Sequence, residues 1–382
     1  MAPPLDQRPN HSLIGVPGSR ERLATPALVL DIDAFEGNIA AMASWAEKHS
    51  LGLRPHAKTH KCSIIAKRQV EAGALGNCTA TLSEAEVLVD AGVSGVLITS
   101  TVVTPDRIER LVALNDRASR LMVIVDDPAN VDALNEAMRQ GAEPLYVLVD
   151  VEVGCGRTGV VSQVDAVDLI DKVTASPNLR FGGLQAYDGG VQAIESFEDR
   201  RKALDGDLQA LREVIDVMNR RGTIVPMISG GGTGTHEIDR IGGVFTEIQA
   251  GSYIVMDSIY NGCDLHGSGA AVFFTSLFVR ATVISTAKKG FVTTDAGLKA
   301  FSVGSGDPQI ASGAPQGATY TFMGDEHGRI TFAKDGHGMA LGDQVECIAP
   351  HCDPTIALYD CYHVVRGDTL IDIWPIDARG HW

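Results

Sequence analysis

The chain has 382 residues, 45% of them hydrophobic and 21% charged, which is enough for one large domain, a smaller one and an ample core. Its formal charge of −16 argues against nucleic acid or an anionic membrane as the main partner, and no apolar run approaches a bilayer span. Met1 to Asp6 carry neither a basic nor an apolar leader region, so no secretion signal is expected. Seven scattered cysteines without a CxxC pair point to a reducing cytoplasm rather than a disulfide framework or a zinc knuckle.

From about residue 27 to 255, short β-branched runs alternate with stretches of helical spacing. Strands are expected at 27–32, 52–55, 76–80, 95–100, 121–125, 145–151, 181–186 and 226–229. Helices are expected between them at 33–49, 83–91, 105–114, 128–140, 165–175 and 197–220, with Ser83 and Glu86 reading as a capping box. Eight βα units in series predict an α/β fold, a (β/α)8 TIM-type barrel over 27–260; a doubly wound open sheet would not need so many. Beyond 261 the texture changes to β-rich runs at 272–285, 291–294, 319–322, 344–349, 361–366 and 369–374. Gly, Pro and Asp punctuate them and helical spacing is absent, so 261–382 is expected to form a smaller antiparallel β-domain. Residues 1–26 are expected to pack on that domain, and 302–317 to be a Gly/Pro/Ser-rich loop.

Four segments carry chemistry. Arg54-Pro55-His56-Ala57-Lys58-Thr59-His60-Lys61 crowds cations and imidazoles where a strand gives way to a helix. A lysine in that company should have a depressed pKa and a neutral amine, as Schiff-base chemistry requires; a solvated basic loop is the bland alternative. His56 and Lys58, two residues apart, would share a side at the barrel mouth. Gly154-Cys155-Gly156-Arg157-Thr158-Gly159 lets backbone approach a planar ligand while a guanidinium offers donors to an anionic oxygen. Ser229-Gly230-Gly231-Gly232-Thr233-Gly234-Thr235 exposes backbone N–H groups and hydroxyls suited to a phosphate, where barrels often hold one. In His351-Cys352-Asp353, an imidazole and a carboxylate at i and i+2 of extended chain would point the same way and could bind one divalent cation, with Cys352 pointing elsewhere.

These four segments, in this order, resemble the D-threonine aldolase and D-serine dehydratase family of pyridoxal-phosphate enzymes. The likeness runs from Thr25-Pro26-Ala27-Leu28-Val29-Leu30-Asp31 to Trp374-Pro375-Ile376-Asp377-Ala378-Arg379-Gly380. It includes Leu184-Gln185-Ala186-Tyr187, Glu247-Ile248-Gln249-Ala250-Gly251-Ser252-Tyr253, Asp295-Ala296-Gly297-Leu298-Lys299 and Asp325-Glu326-His327-Gly328. The resemblance implies an alanine-racemase-like barrel and β-domain, paired as a homodimer with the active site near the subunit interface. It implies Lys58 bound to pyridoxal 5'-phosphate, Arg157 beside the phenolic oxygen and Tyr187 by the pyridine nitrogen. Gly231, Gly232, Thr233, Gly251, Ser252 and Tyr253 would surround the phosphate, and His351 and Asp353 would hold Mn²⁺ or Mg²⁺, with Zn²⁺ also fitting.

Dehydratases of this family tend to carry Cys at the second metal position, so Asp353 favours the aldolases. The implied reaction is metal-assisted retro-aldol cleavage of a D-3-hydroxy amino acid to glycine and an aldehyde. Alternatives are dehydration to a 2-oxo acid and ammonia, and a metal-independent racemase or transaminase. One departure stands out: Ala193 occupies the place of a histidine that helps deprotonate the substrate hydroxyl in the aldolases. A metal-bound water, Asp188, His236 or His266 would then serve as base, and Lys58, His56, Arg157 and Asp188 form the expected catalytic set.

Overall fold

The computed structural model describes residues 8–333 and 338–380, so 1–7 of the expected N-terminal segment lie outside the described residues. Strand β1 (Ala27–Asp31) opens the main body and Asp31 caps helix α1 (Ile32–Lys48), accepting from the Ala34 N–H. Eight short parallel strands follow: β2 (Gly52–Leu53), β3 (Cys78–Thr79), β4 (Leu97–Ile98), β5 (Met122–Val125), β6 (Leu145–Asp150), β7 (Leu179–Ala186), β8 (Ile228–Gly230) and β9 (Glu247–Ile248). Their order is β2-β9-β8-β7-β6-β5-β4-β3, and a parallel bridge between His56 and Cys78 joins the two ends into a barrel. Helices α2 (Ser63–Glu71), α3 (Leu82–Asp90), α4 (Pro105–Asn115), α5 (Pro128–Ala137), α6 (Gln163–Ala175), α7 (Phe197–Asp207), α8 (Gln209–Arg220) and α9 (His236–Gly242) fall between or after these strands.

The count of eight holds, but its membership differs from the expectation. β1 does not belong to the barrel; it lies between two strands of the second sheet, antiparallel to one and parallel to the other. Its Ala27, Leu28, Val29 and Leu30 are fully buried, and an apolar run reports burial on both faces without saying in which sheet. The strand not foreseen is β9, whose Glu247 breaks the apolar pattern. That carboxylate is buried in the barrel because Arg54 meets it with two bonds of 2.8 Å. The cap of α3 is Thr81, which accepts from Glu84 N–H at 3.1 Å, while Glu84 accepts from Ala80 N–H at 2.7 Å. Glu86, expected in that box, instead pairs with Arg110. The single helix expected over 197–220 is two helices broken at Leu208.

A short helix α10 (Ser258–Asn261) leads to the second sheet: β10 (Leu277–Ser285), β11 (Phe291–Thr294), β12 (Gln309–Ser312), β13 (Thr319–Phe322), β14 (Gly328–Thr331), β15 (Gln344–Ile348), then helix α11 (Cys352–Ile356), β16 (Cys361–Arg366) and β17 (Thr369–Pro375). The path is β13-β14-β11-β10-β1-β16-β17, with β15 bridging β10 and β12. All pairings are antiparallel except β1 with β16, so the inserted strand gives the sheet one parallel seam. β12 lies inside the segment expected to be a plain loop. Before β1 the chain lies on this sheet: Gly15 N–H donates to Leu370 O at 2.8 Å, and the Arg20 guanidinium forks onto Glu346 at 2.8 and 2.7 Å.

Candidate active site

β2 ends at Leu53, and the chain turns across the C-terminal mouth of the barrel, where active sites of this architecture form. His56 extends the β2 ladder through its bridge to Cys78 and Lys58 lies in the turn that follows, and both line one cavity of about 140 Å³ with Thr99, Arg157, Gln185 and Tyr187. The Lys58 N–H donates to His56 Nδ1 at 3.3 Å, and His56 Nε2 lies 3.0 Å from Thr99 Oγ1. With both ring nitrogens engaged, burial first and Lys58 second hold the imidazole's pKa well below its ordinary value.

Lys58 Nζ is 2.5 Å from Asp353 Oδ2, a contact between the barrel mouth and α11. Burial works against the ammonium, but the Asp353 carboxylate outweighs it and the lysine pKa rises. This reverses the expected depression. The neighbouring cations are turned away: Arg54 runs into the barrel to Glu247, and Lys61 pairs with Glu84. Burial would raise Asp353 in turn, yet Lys58 and His351 drive it well below the carboxylate range.

The Arg157 guanidinium carbon stands 5.7 Å from the Tyr187 ring centroid, a cation–π arrangement. Its loop is shaped by acceptors: Glu152 takes the Gly156 N–H at 2.9 Å, Asp150 the Thr158 hydroxyl at 2.7 Å, and Asp126 the Gly159 N–H at 3.0 Å. Gly159 needs its freedom, with φ +104° and a Cβ position 2.6 Å from Glu152 N.

Gly231, Gly232 and Thr233 follow β8, and Gly251, Ser252 and Tyr253 follow β9, so the two glycine loops face each other after the seventh and eighth barrel strands. Thr233 Oγ1 accepts the Tyr253 N–H at 3.1 Å and ties the loops together. Among the described residues no acceptor meets the backbone N–H of Thr233 or Gly251. Thr59 Oγ1 is buried without a partner, 2.5 Å from where a Gly251 Cβ would stand. Unspent donors, an orphaned hydroxyl and a cradle that a side chain would fill suit a phosphate.

The expected metal pair is presented differently from the extended chain foreseen. His351 is the N-cap of α11, and Cys352 and Asp353 begin the helix. Asp257, which sequence reasoning missed, comes within 2.9 Å of His351 Nδ1 and accepts the Cys352 N–H at 2.9 Å with the same oxygen. Its other oxygen accepts the Tyr260 N–H at 2.9 Å. Asp257, His351 and Cys352 have ligand atoms within 4.8 Å of one another. Asp257 is fully committed, however, and burial pushes the Cys352 thiol well above its ordinary pKa. The donors left for a hard divalent cation are the outer His351 nitrogen and Asp353, a set that fits such an ion. The only hint of Asp257 in the sequence is an Asp preceding a short helical stretch, too common a pattern to single out.

The three residues considered as replacement bases do not gather at the cavity. Asp188 Oδ1 accepts the Gly190 N–H at 2.7 Å, and burial together with the neighbouring Asp207 carboxylate pushes its pKa up to about 6. His236 Nδ1 lies 2.8 Å from Thr233 O and its Nε2 3.0 Å from His266 Nε2, behind the loop that carries Thr233 and against Trp45. Ala193 is exposed.

Residues 30–259 match the family model of the alanine racemase N-terminal domain, and 276–365 match that of a serine dehydratase domain. The chain is 40% identical to D-threonine aldolase of an Arthrobacter species, covering 94% of this chain and 93% of that one. It is 36% identical to 3-hydroxy-D-aspartate aldolase of Paracoccus denitrificans, covering 97% and 96%. Its fold superposes on the crystal structure of D-threonine aldolase from Filomicrobium marinum with a TM-score of 0.90, at 38% identity over 94% and 97% of the chains. With this barrel, this second sheet and likeness along nearly its whole length, the chain belongs to the alanine-racemase-like family of lyases that includes the D-threonine and 3-hydroxy-D-aspartate aldolases.

Proposed function

We propose that the chain cleaves a D-threonine-like D-3-hydroxy amino acid to glycine and an aldehyde, using pyridoxal 5'-phosphate and a divalent cation. The observation that supports this reading is the 2.5 Å contact of Lys58, the proposed cofactor lysine, with Asp353, a proposed metal ligand. The bound cofactor supplies an electron sink for the carbanion left at Cα, and the cation a Lewis acid at the β-hydroxyl.

The chain's own groups divide the remaining work. Lys58 would hold the cofactor through its amine and, with Asp353 beside it, would hold or move a proton at Cα. Arg157 and Tyr187 would contact the cofactor ring, and Thr233 and Gly251 would offer their N–H groups to its phosphate. His56, engaged through both nitrogens, orients the Lys58 backbone rather than transferring a proton. Asp353 in place of a thiolate suits an oxygen-preferring ion, Mn²⁺ or Mg²⁺, better than a soft one. We further propose a cytoplasmic homodimer. All seven cysteines are free, as a reducing compartment leaves them, and Val303, Leu341 and Leu358 lie exposed along the second sheet and its connections.

The test is product analysis with D-threonine, D-phenylserine and D-3-hydroxyaspartate, each with cofactor and Mn²⁺ supplied. Glycine equimolar with an aldehyde is expected. A 2-oxo acid with ammonia would assign the chain to dehydration instead, and a mixture of the D- and L-epimers without glycine to racemisation.

A further inference from the structure

Asp257 is set apart by how it is held. Its side chain is fully buried, and the preceding Met256 has φ +56°, a left-handed conformation that a non-glycine residue rarely adopts. That turn follows the 3-10 segment Ser252–Ile254 of the phosphate cradle and opens α10. The carboxylate so aimed joins three donors from two distant stretches: the Tyr260 N–H at 2.9 Å, the Cys352 N–H at 2.9 Å and the His351 ring at 2.9 Å. It reaches neither Lys58 nor Asp353 by hydrogen bond.

An imidazole has two possible tautomers, and the partner of one nitrogen decides which lone pair the other presents. A carboxylate can only accept, so Asp257 requires the proton on Nδ1 and leaves the Nε2 lone pair of His351 facing outward. The Cys352 N–H on the same oxygen fixes the first turn of α11, and with it the direction of Asp353. We propose that Asp257 is a positioning residue for the metal site, setting the tautomer and rotation of His351 without itself binding the ion. The inference rests on the divalent-cation reading above, and both can fail separately.

The test uses the full-length holoenzyme with its cofactor, stripped of metal by EDTA, and titrates Mn²⁺ by the electron paramagnetic resonance of the free ion. D257N should weaken Mn²⁺ binding by about 10–100-fold, the usual cost of losing a partner behind a metal-binding histidine. The cofactor's visible absorbance and the melting temperature should stay close to wild type. H351A should weaken binding further. Unchanged Mn²⁺ affinity in D257N, with loss in H351A, overturns the role of Asp257 alone. Parallel loss of metal, cofactor and melting temperature makes Asp257 a structural residue and overturns it too. Unchanged affinity in H351A overturns the metal reading itself. Should D257N not fold, ¹⁵N-histidine spectra of the metal-free wild type decide: His351, assigned by its absence in H351A, must be the Nδ1–H tautomer. An Nε2–H tautomer contradicts the proposal.

Discussion

A carboxyl group stripped of water resists ionisation, and Asp239 is a buried case beside the Gly231 loop. Its Oδ2 accepts the Thr235 hydroxyl at 2.7 Å and lies 2.2 Å from where a Gly231 Cβ would stand. Burial pushes its pKa up to about 7, and a phosphate over Gly231 would favour the neutral form further, as like charges do. The unfolded carboxyl titrates near the ordinary value of about 3.9, so between that and about 7 the folded chain holds the extra proton. Stability from this group is therefore lost as pH rises through the window. Asp239→Asn should flatten that fall in apoenzyme melting curves, by no more than about 2–4 °C per kcal/mol recovered; an unchanged slope would show that the carboxyl is not the cause. At Lys58, replacement by Ala should abolish the cofactor's covalent absorbance and lower turnover by about 10²–10⁴-fold. Retention of both in the purified variant would remove Lys58 from its role. The segment around Lys58 singles it out as a candidate, but the direction of its pKa shift was not legible there. The group that sets it, Asp353, lies 295 residues away in sequence.

Elements show where burial patterns help and where they mislead. β5 and β6 read clearly because nearly every residue is apolar and buried on both faces. β9 did not, because its Glu247 enters the core only with Arg54 as partner, and with Ser229 donating to it at 2.6 Å. That pairing links β2, β8 and β9 across the barrel interior beneath the cavity. Glu247→Gln leaves a buried guanidinium without its counter-charge and should cost about 3–5 kcal/mol in urea unfolding; a loss below 1 kcal/mol would mean that the pair is not what holds β9. The α3 cap is a smaller case. Thr81→Ala should cost about 1 kcal/mol, since the Thr81 hydroxyl takes the Glu84 N–H, one of the otherwise unpaired donors in the first turn of the helix. The capping box was shifted by two residues in the sequence reading because Ser83-Glu86 and Thr81-Glu84 have the same spacing, and only the start of the helix tells them apart.

At the scale of the whole molecule, an α/β barrel followed by a β-rich domain was readable from the change in texture near residue 261. The topology was not: β1 leaves the N-terminal stretch to sit between β10 and β16, and this placement depends on partners some 250 and 330 residues further along. The same long-range closure makes the candidate site. α11 emerges from the second sheet and delivers Asp353 to Lys58 and His351 to Asp257, so neither the barrel nor the sheet alone assembles the candidate site. The central claim is that these two halves act together in carbon–carbon cleavage. It is tested most directly by following glycine and acetaldehyde release from D-threonine by the holoenzyme before EDTA, after EDTA, and after Mn²⁺ is returned. Glycine formation should fall by about 10²-fold or more on chelation and recover with the metal while the cofactor's absorbance persists. Glycine release unaffected by EDTA, or 2-oxobutyrate and ammonia in its place, would contradict it.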